Sequence, residues 1–270
     1  MPPISISHYS LTKQQLTILK TLYRFRFATS QLLAQSTNTN KDIINKRLKL
    51  MMALKYIGRN FEPEYHLLRK HASYFLLPGG IKALKQVSGV KYSPKILRNI
   101  YNDKDALDPF INHQLDVLGV CCKLQATCGD ELRFFTKSQL ITFTHYPHPL
   151  PDAYIRLGDG DDERQFFLEV LHEAQPFFVS TRKVMQYVTY AGDGREEWEQ
   201  ETGTPLPSVL LFCDSTSLNK RLQKKMRRAA ETIEDNDMVL YATAMTEIGN
   251  STGWHDLANP GEALALNDLP

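Results

Sequence analysis

The sequence predicts an α/β (α+β) protein in which an N-terminal winged helix-turn-helix is followed by an α/β sandwich around a mixed sheet. One supporting observation is an uneven division of charge. Residues 1–100 contain 17 Lys or Arg against three acids, a net charge of +14, whereas residues 101–270 contain 15 basic and 27 acidic residues, a net charge of −12. The other is the apolar pattern, which begins with helical spacing and then alternates between strands and helices. We therefore expect two domains with different partners, and the basic one suits a polyanion.

Helices and a pair of strands make up the predicted N-terminal domain. Thr12 is placed to cap the first helix, and Pro78-Gly79-Gly80 is expected to break the strand pattern before the last helix. The predicted helices cover 12–23, 31–35, 41–55 and 81–87, and the predicted strands cover 55–61 and 72–77. A short helix, a polar turn and a basic amphipathic helix form the helix-turn-helix pattern, whose second helix enters the major groove of DNA.

Basic and amide side chains on this domain are the predicted DNA contacts. Lysines on the helix over 41–55 would meet phosphates, and the Asn45 amide suits a base edge. The predicted DNA-binding residues, including those of the wing between the strands, are Lys41, Asn45, Lys46, Lys49, Arg59, Arg69 and Lys70. A solvated basic face and a dimerisation module are the alternatives. A membrane contact is disfavoured because the apolar side of this helix is needed for the core of the domain.

The acidic part of the chain has the pattern of an α/β domain. Its predicted helices cover 109–127, 180–190 and 218–233, and its predicted strands cover 131–135, 140–145, 153–157, 165–171, 208–213 and 238–244. The predicted organisation is a winged-helix DNA-binding domain over 1–90, a linker over 91–108 and an α/β domain with a C-terminal tail over 109–270.

Two carboxylates mark a candidate site in the α/β domain. Asp152 begins one predicted strand, and Glu169 lies inside the next among apolar residues, where a charge needs a partner. Antiparallel pairing of these strands would bring the carboxylates close enough to share a Mg²⁺ or Mn²⁺ ion, which can activate water against a phosphodiester. The alternative is that Glu169 faces solvent or pairs with Arg156.

These residues resemble the motifs of the PD-(D/E)XK nuclease-like superfamily. Pro151-Asp152 matches its first element, and Glu169-Val170-Leu171 matches its second, with leucine where an active member has lysine. The resemblance implies a nuclease-like fold whose missing lysine could be supplied by Lys183 on the next helix. Gln186 and Tyr190 are similar to the QxxxY element of RecB-type nucleases. The implied catalytic set, if the site is active, is Asp152, Glu169, Lys183, Gln186 and Tyr190, with Asp152 and Glu169 as metal ligands.

The whole chain resembles the replication-relaxation family of mobile-element proteins. The resemblance rests on the winged helix ending in Tyr74-Phe75-Leu76-Leu77, on Pro151-Asp152 followed by Phe167-Leu168-Glu169-Val170 and a helix with Lys183 and Tyr187, and on a terminal segment with Trp254 and Gly261. Members typically have an acid where Leu171 stands, so this chain departs from them there. The family is associated with plasmid replication and DNA relaxation. The resemblance implies a DNA-binding accessory role beside a relaxase or a replication protein.

Other patterns in the sequence are weaker. His145 and His148 form an HxxH pair on a proline-rich loop, and His172 and Glu173 follow the Glu169 strand, so each pair is a possible metal ligand set. The basic stretch over 220–228 would serve as a second phosphate contact or as a docking face for acidic neighbours. The N-terminal segment lacks signal-peptide features and no stretch is apolar enough to span a membrane, which predicts a cytoplasmic protein without membrane contact.

Two functions from different classes follow from the sequence. The first is a DNA-binding accessory protein of a plasmid or other mobile element, acting on duplex DNA through the winged helix, with a degenerate nuclease-like domain for assembly or DNA shape. The second is a metal-dependent DNA endonuclease. A homodimer is compatible with the first, because winged helices often bind paired half-sites. A pure protein-interaction module is a third possibility, and it predicts no affinity for DNA.

Overall fold

The computed structural model describes residues 11–65, 67, 70–88, 94–230, 238–250, 253–257 and 263–270. The chain divides into two compact units, Met1–Cys122 and Lys123–Pro270. The predicted domain boundaries at 90 and 109 stay predictions. Within the described part, no helix is long and apolar enough to cross a membrane.

The first unit has the element order of a winged helix. Its helices are α1 (Lys13–Phe25), α2 (Ser30–Ser36), α3 (Lys41–Ala53), α4 (Pro78–Ser88) and α5 (Pro94–Tyr101), and its strands are β1 (Ala28–Thr29), β2 (Ile57–Asn60) and β3 (Ser73–Leu76). The strands form an antiparallel sheet in the order β1-β3-β2. The predicted winged helix-turn-helix is confirmed, and β1, which the sequence patterns did not indicate, completes its sheet.

Local sequence explains where these helices begin. Thr12 and Gln15 form a capping box at α1, since each side chain hydrogen-bonds the backbone N–H of the other residue. The Thr29 hydroxyl accepts a hydrogen bond from the Leu32 backbone at 3.2 Å and caps α2. Ile44 and Leu48 turn the apolar side of α3 into the core, which leaves the lysines of α3 on its outer side.

Pro78-Gly79-Gly80 follows the end of β3 as predicted, but the helix begins at Pro78 and not at the predicted Ile81. These residues form the first turn of α4, where proline is tolerated because its missing N–H would have no helical partner. A Cβ on Gly80 would lie 2.2 Å from the Tyr56 carbonyl oxygen, and one on Gly79 would lie 2.6 Å from the Lys55 carbonyl oxygen. The two glycines therefore allow α4 to approach the backbone that leads into β2.

The second unit is built on a seven-stranded mixed sheet. Its strands are β4 (Leu132–Thr136), β5 (Ala153–Leu157), β6 (Arg164–Leu171), β7 (Ser208–Cys213), β8 (Leu240–Ala244), β9 (Trp254–Asp256) and β10 (Ala263–Leu264). They lie in sequence order across the sheet, with β6, β7 and β8 parallel and the other pairs antiparallel. The helices are α6 (Asp108–Cys128), which contains the boundary between the units, α7 (Lys137–Leu140), α8 (Phe177–Asp193), α9 (Arg195–Thr202) and α10 (Thr216–Ala230). This mixed sheet, with α8 between β6 and β7, confirms the predicted α/β fold class with a mixed sheet.

The strand predicted over 140–145 is wrong. A capping box between Thr136 and Gln139 begins the short helix α7 instead, and turns follow it. The segment after α7 packs through its aromatic side chains and does not pair as a strand. The Tyr146 ring lies edge-on to the Trp198 ring, with 5.2 Å between the ring centres. The short C-terminal strands β9 and β10 were not predicted, and Trp254 of β9 packs edge-on against Phe212 at 5.0 Å.

One face of the sheet positions the candidate site. Phe167 and Leu171 of β6 belong to an apolar cluster with residues of α8, α9 and α10, including the fully buried Val184 and Trp198. Alternation along β6 places Glu169 on this same face, between Phe167 and Leu171. The chain therefore buries a carboxylate in the middle of an apolar core.

Candidate carboxylate site and nucleic-acid interface

Antiparallel pairing of β5 and β6 brings Asp152 and Glu169 together, as the sequence predicts. Ala153 lies opposite Leu168. Because the strands are antiparallel, Asp152, which precedes Ala153, lies beside Glu169, which follows Leu168. The Asp152 backbone N–H donates to the Leu168 carbonyl at 3.0 Å. In return the Val170 backbone N–H donates to Asp152 Oδ2 at 3.0 Å. Both carboxylates are buried and held by the sheet itself.

Helix α8 supplies a lysine and a tyrosine to this pair. Lys183 Nζ lies 2.6 Å from Glu169 Oε2 and 3.5 Å from Asp152 Oδ2. One turn further along, the Tyr187 hydroxyl donates to Glu169 Oε1 at 2.7 Å. Lys183 was predicted to reach this place, and Glu169 does not pair with Arg156, which binds Glu163 instead. We call Asp152, Glu169, Lys183 and Tyr187 the carboxylate–lysine cluster.

Burial and charge shift the pKa values within the carboxylate–lysine cluster. Burial, and after it the Asp152 charge, raises the pKa of the Glu169 carboxyl to about 7, although Lys183 and Tyr187 oppose the shift. Burial lowers the pKa of Lys183, but the two carboxylates together raise it above its ordinary value, so the ammonium stays charged. Burial raises the pKa of Tyr187 well above its ordinary value, and Glu169 adds to the effect.

The carboxylate–lysine cluster does not fit a divalent cation in this arrangement. Mg²⁺ needs several free oxygen ligands, but the Lys183 ammonium lies between Asp152 and Glu169, and Tyr187 binds the other oxygen of Glu169. The hydrocarbon side chain of Leu171 offers no ligand atom, and it is buried in the apolar cluster. No group of three or more His, Cys, Asp or Glu residues that could hold a metal ion occurs in the part of the chain that the structure describes.

Gln186 and Tyr190 bind a loop rather than the carboxylates. Gln186 Nε2 donates to the Pro149 carbonyl at 2.7 Å, and the Tyr190 hydroxyl donates to the His145 carbonyl. These bonds hold the segment that leads into Asp152, so both residues position the site from one side. The sequence analysis did not predict the hydrogen bond between Tyr187 and Glu169. Its position four residues after Lys183, on the same side of a helix, was the signal that could have indicated it.

Three lysines of α3 present free charge on the first unit. Lys41, Lys46 and Lys49 are exposed and form no ion pair among the residues described, and Asn45 is half-buried beside them. The exposed Arg59 of β2 lies with its guanidinium carbon 4.2 Å from the centre of the Phe61 ring. Of the predicted wing residues, Arg69 lies outside the described residues. Lys70 forms an ion pair with Asp108, with 2.8 Å between Nζ and Oδ2, so its positive charge is already balanced.

The outer side of α10 carries a second basic surface. Leu218, Leu222 and Met226 face the core, which turns the basic residues outward. The exposed ones are Lys220, Arg221, Lys224, Lys225, Arg227 and Arg228. None of them has an ion pair within the described ranges, and Arg221 lies over the Phe177 ring at 4.5 Å. This helix adds positive charge to a unit that is otherwise acidic.

Comparison with known proteins gives one family and two similar structures. The family model described as Replication-relaxation matches residues 19–206, more than half of the chain. No curated protein matches in sequence. A MarR family transcription regulator is 19% identical, with a TM-score of 0.27 over 43% of this chain and 73% of that one. The restriction endonuclease FokI is 9% identical, with a TM-score of 0.32 over 89% of this chain and 44% of that one, so this chain spans less than half of it.

Proposed function

Because the chain belongs to the replication-relaxation family, we propose that it is a DNA-binding accessory protein of a plasmid or other mobile element, acting in replication, relaxation or mobilisation. The observation that carries this proposal is the outer side of α3, where three lysines without ion pairs among the described residues lie on the second helix of a helix-turn-helix. Such a helix is the element that enters the major groove. The nuclease-like unit then serves assembly or DNA shape.

The charges around α3 support duplex DNA as the ligand. Lys41, Lys46 and Lys49 would neutralise phosphates and fix the orientation of the domain, whereas Asn45 is placed to read a base edge. Arg59 would contribute from the neighbouring strand. The basic residues of α10 offer a second surface for phosphates, so one chain would have two places to contact a long duplex.

Reversing two charges on α3 tests this proposal. We expect Lys46→Glu with Lys49→Glu to weaken duplex binding and to reduce the slope of log affinity against log salt by about 1.8, since two phosphate contacts are lost. The measurement is fluorescence anisotropy with a labelled duplex over a series of salt concentrations. Lys82→Glu with Lys85→Glu on α4 is the matched control, because it changes the net charge equally at two exposed lysines away from α3. An unchanged affinity and salt slope in the α3 variant would contradict the proposal.

A metal-dependent endonuclease is the second candidate, because Asp152, Glu169 and Lys183 do converge. The engagement of both carboxylates by Lys183 argues against it. We therefore expect the purified protein to leave supercoiled and linear DNA uncut in the presence of Mg²⁺ or Mn²⁺. The measurement is an agarose gel assay with Asp152→Ala in parallel. Cleavage that the wild type shows and Asp152→Ala abolishes would establish the second candidate instead.

The partners of this function are also part of the proposal. A homodimer on paired half-sites would double the number of α3 contacts, and the acidic second unit could then meet a relaxase or a replication protein. The place of action would be the cytoplasm, where the DNA of such an element is replicated. Sedimentation with and without duplex DNA measures whether two copies bind together.

A further inference from the structure

A cavity of about 430 Å³ opens in the second unit beside β5 and β6. Four aromatic rings line it, and two polar side chains on the paired strands form part of its wall. The aromatic residues are Phe135, Phe143, Tyr146 and Tyr154, and the polar ones are Arg156 and Gln165. We call this the aromatic cavity. Gln165 lies four residues before Glu169 on the same face of β6, which is about 13 Å along the strand.

The rings of the aromatic cavity are held in place from behind. Tyr154 packs against Phe135 at 5.8 Å and against Tyr146 at 5.6 Å, measured between ring centres. The fully buried Trp198 lies behind both tyrosines, at 5.2 Å from Tyr146 and 5.8 Å from Tyr154. Phe143 is different, because 49% of it is exposed. A large apolar ring left in water at the cavity is a surface on which a flat ligand can stack.

The polar side of the aromatic cavity offers an arginine N–H donor whose positive charge is balanced by a neighbouring carboxylate. Arg156 Nε donates to Glu163 Oε1 at 2.7 Å, and Arg156 Nη2 lies 2.6 Å from Glu163 Oε2, so the guanidinium is fixed and its charge is balanced. Its other terminal nitrogen, Nη1, has no hydrogen-bond partner among the residues that the structure describes. Gln165 is fixed beside it, since its Oε1 accepts from the Tyr154 hydroxyl at 2.7 Å.

We propose that the aromatic cavity binds a nucleobase. A nucleobase has flat faces that stack on aromatic rings and edge acceptors that suit an arginine N–H. A purely apolar ligand would leave the Arg156 donor unpaired, and a free anion would meet the Glu163 carboxylate. The base could belong to a free nucleotide or to an unpaired nucleotide of a DNA strand. This inference rests on the proposed DNA-binding function, to which it adds a site for a single base.

Tryptophan fluorescence gives a direct readout of this site, because Trp198 lies against two of the lining rings. The probes are the four deoxynucleoside monophosphates, deoxyribose 5-phosphate without a base, a short single-stranded oligonucleotide and the matching duplex. We expect saturable quenching by at least one monophosphate or by the single strand, and none by deoxyribose 5-phosphate. Quenching by the monophosphates indicates that a free nucleotide suffices, whereas quenching by the strand alone indicates a base within DNA. No saturable signal with any base-containing probe overturns the proposal.

A matched pair of variants tests the contact itself. Phe143→Ala removes the exposed ring of the cavity, and we expect affinity for the base to fall about fivefold or more. Phe178→Ala on α8 is the control, since that ring is 67% exposed and does not line the cavity. Equal affinity of Phe143→Ala and the wild type overturns the inference. Duplex binding by the α3 variants is measured on the same preparations, so loss of the base site leaves the proposed function standing and the reverse also holds.

Discussion

Replacing Lys183 with methionine is expected to lower the free energy of unfolding by about 3–5 kcal/mol at about pH 8, because it leaves a buried carboxylate pair without its cation. Lys183 is the positive charge of the carboxylate–lysine cluster, at 2.6 Å from Glu169 and 3.5 Å from Asp152. Methionine preserves most of the side-chain volume, so the loss reports on charge more than on packing. Urea denaturation of the full chain measures the change.

The pH dependence of this loss follows from the sign of the pKa shifts. The pKa of Glu169 is raised to about 7, mainly by burial, so the native state holds a proton that the unfolded state has released. This contribution to stability therefore falls as pH rises from about 4.3 to about 7. The pKa of Lys183 is also raised, so its contribution is present below about 10.4 and is lost above it. Without Lys183 the pKa of Glu169 rises further, and the penalty should shrink at about pH 5 as Glu169 becomes protonated.

Two further variants separate this explanation from general damage to α8. Arg182→Met changes an exposed cation next to Lys183, and we expect less than about 1 kcal/mol of destabilisation. Lys183→Met combined with Glu169→Gln should recover much of the loss, because the uncompensated charge is gone. If Lys183→Met destabilises the protein no more than Arg182→Met does, the ammonium is not the partner of the carboxylates.

The sequence predicted the members of this cluster better than their arrangement. Asp152, Glu169 and Lys183 were identified because motif positions and strand pairing depend on spacing, which sequence carries directly. Tyr187 was named only through the family resemblance, and its bond to Glu169 depends on how α8 rotates on the sheet, which spacing alone does not determine. Gln186 and Tyr190 were expected to act beside the carboxylates, but both bind carbonyl groups of the loop before Asp152. This difference also depends on how α8 is rotated on the sheet.

Tertiary packing contributes to two of the errors in the fold prediction. The apolar residues after Thr136 alternate with polar ones, as they would in a strand. In the structure, His145 and Tyr146 at the end of this segment pack against Trp198 instead. Gly79 and Gly80 have the composition of a loop, but they allow a close backbone approach at the start of α4. In each segment tertiary packing acts together with a local signal, which is the Thr136–Gln139 capping box at α7 and the proline in the first turn of α4.

The predicted strands of the second unit agree best with the structure where they are central and buried. In the first unit, the segment predicted as a linker contains regular structure that the sequence did not predict. Residues 94–101 of that segment form α5, and a short 3₁₀ turn follows at Asp103–Asp105. Arg26, at the end of α1, connects to both. Its Nη2 donates to the Asn99 carbonyl at 2.7 Å and forms an ion pair with Asp103. The guanidinium carbon also lies 4.7 Å from the centre of the Phe110 ring.

We expect Arg26→Met to lower the free energy of unfolding by about 3–5 kcal/mol at about pH 8, since Asp103 has a fully buried side chain and would lose its cation. Burial raises the pKa of Asp103 to about 6 despite the opposing effect of Arg26, so a carboxyl left without Arg26 takes up a proton more readily still. Between about pH 6 and the higher pKa of the variant, only the variant's Asp103 is protonated, so the loss should shrink as pH falls from about 8 towards about 6 and stay constant below that. Urea denaturation at both pH values measures it.

The matched control for this prediction is Lys104→Met in the adjacent position. Lys104 lies 3.8 Å from Asp105, but the two side chains are 66% and 74% exposed, and an exposed pair contributes at most about 1 kcal/mol. A large loss in Arg26→Met alone would mean that residues 94–105 stabilise the first unit through Asp103 rather than acting as a spacer. Equal, small losses in both variants would leave the linker prediction standing and would mean that Asp103 does not depend on Arg26.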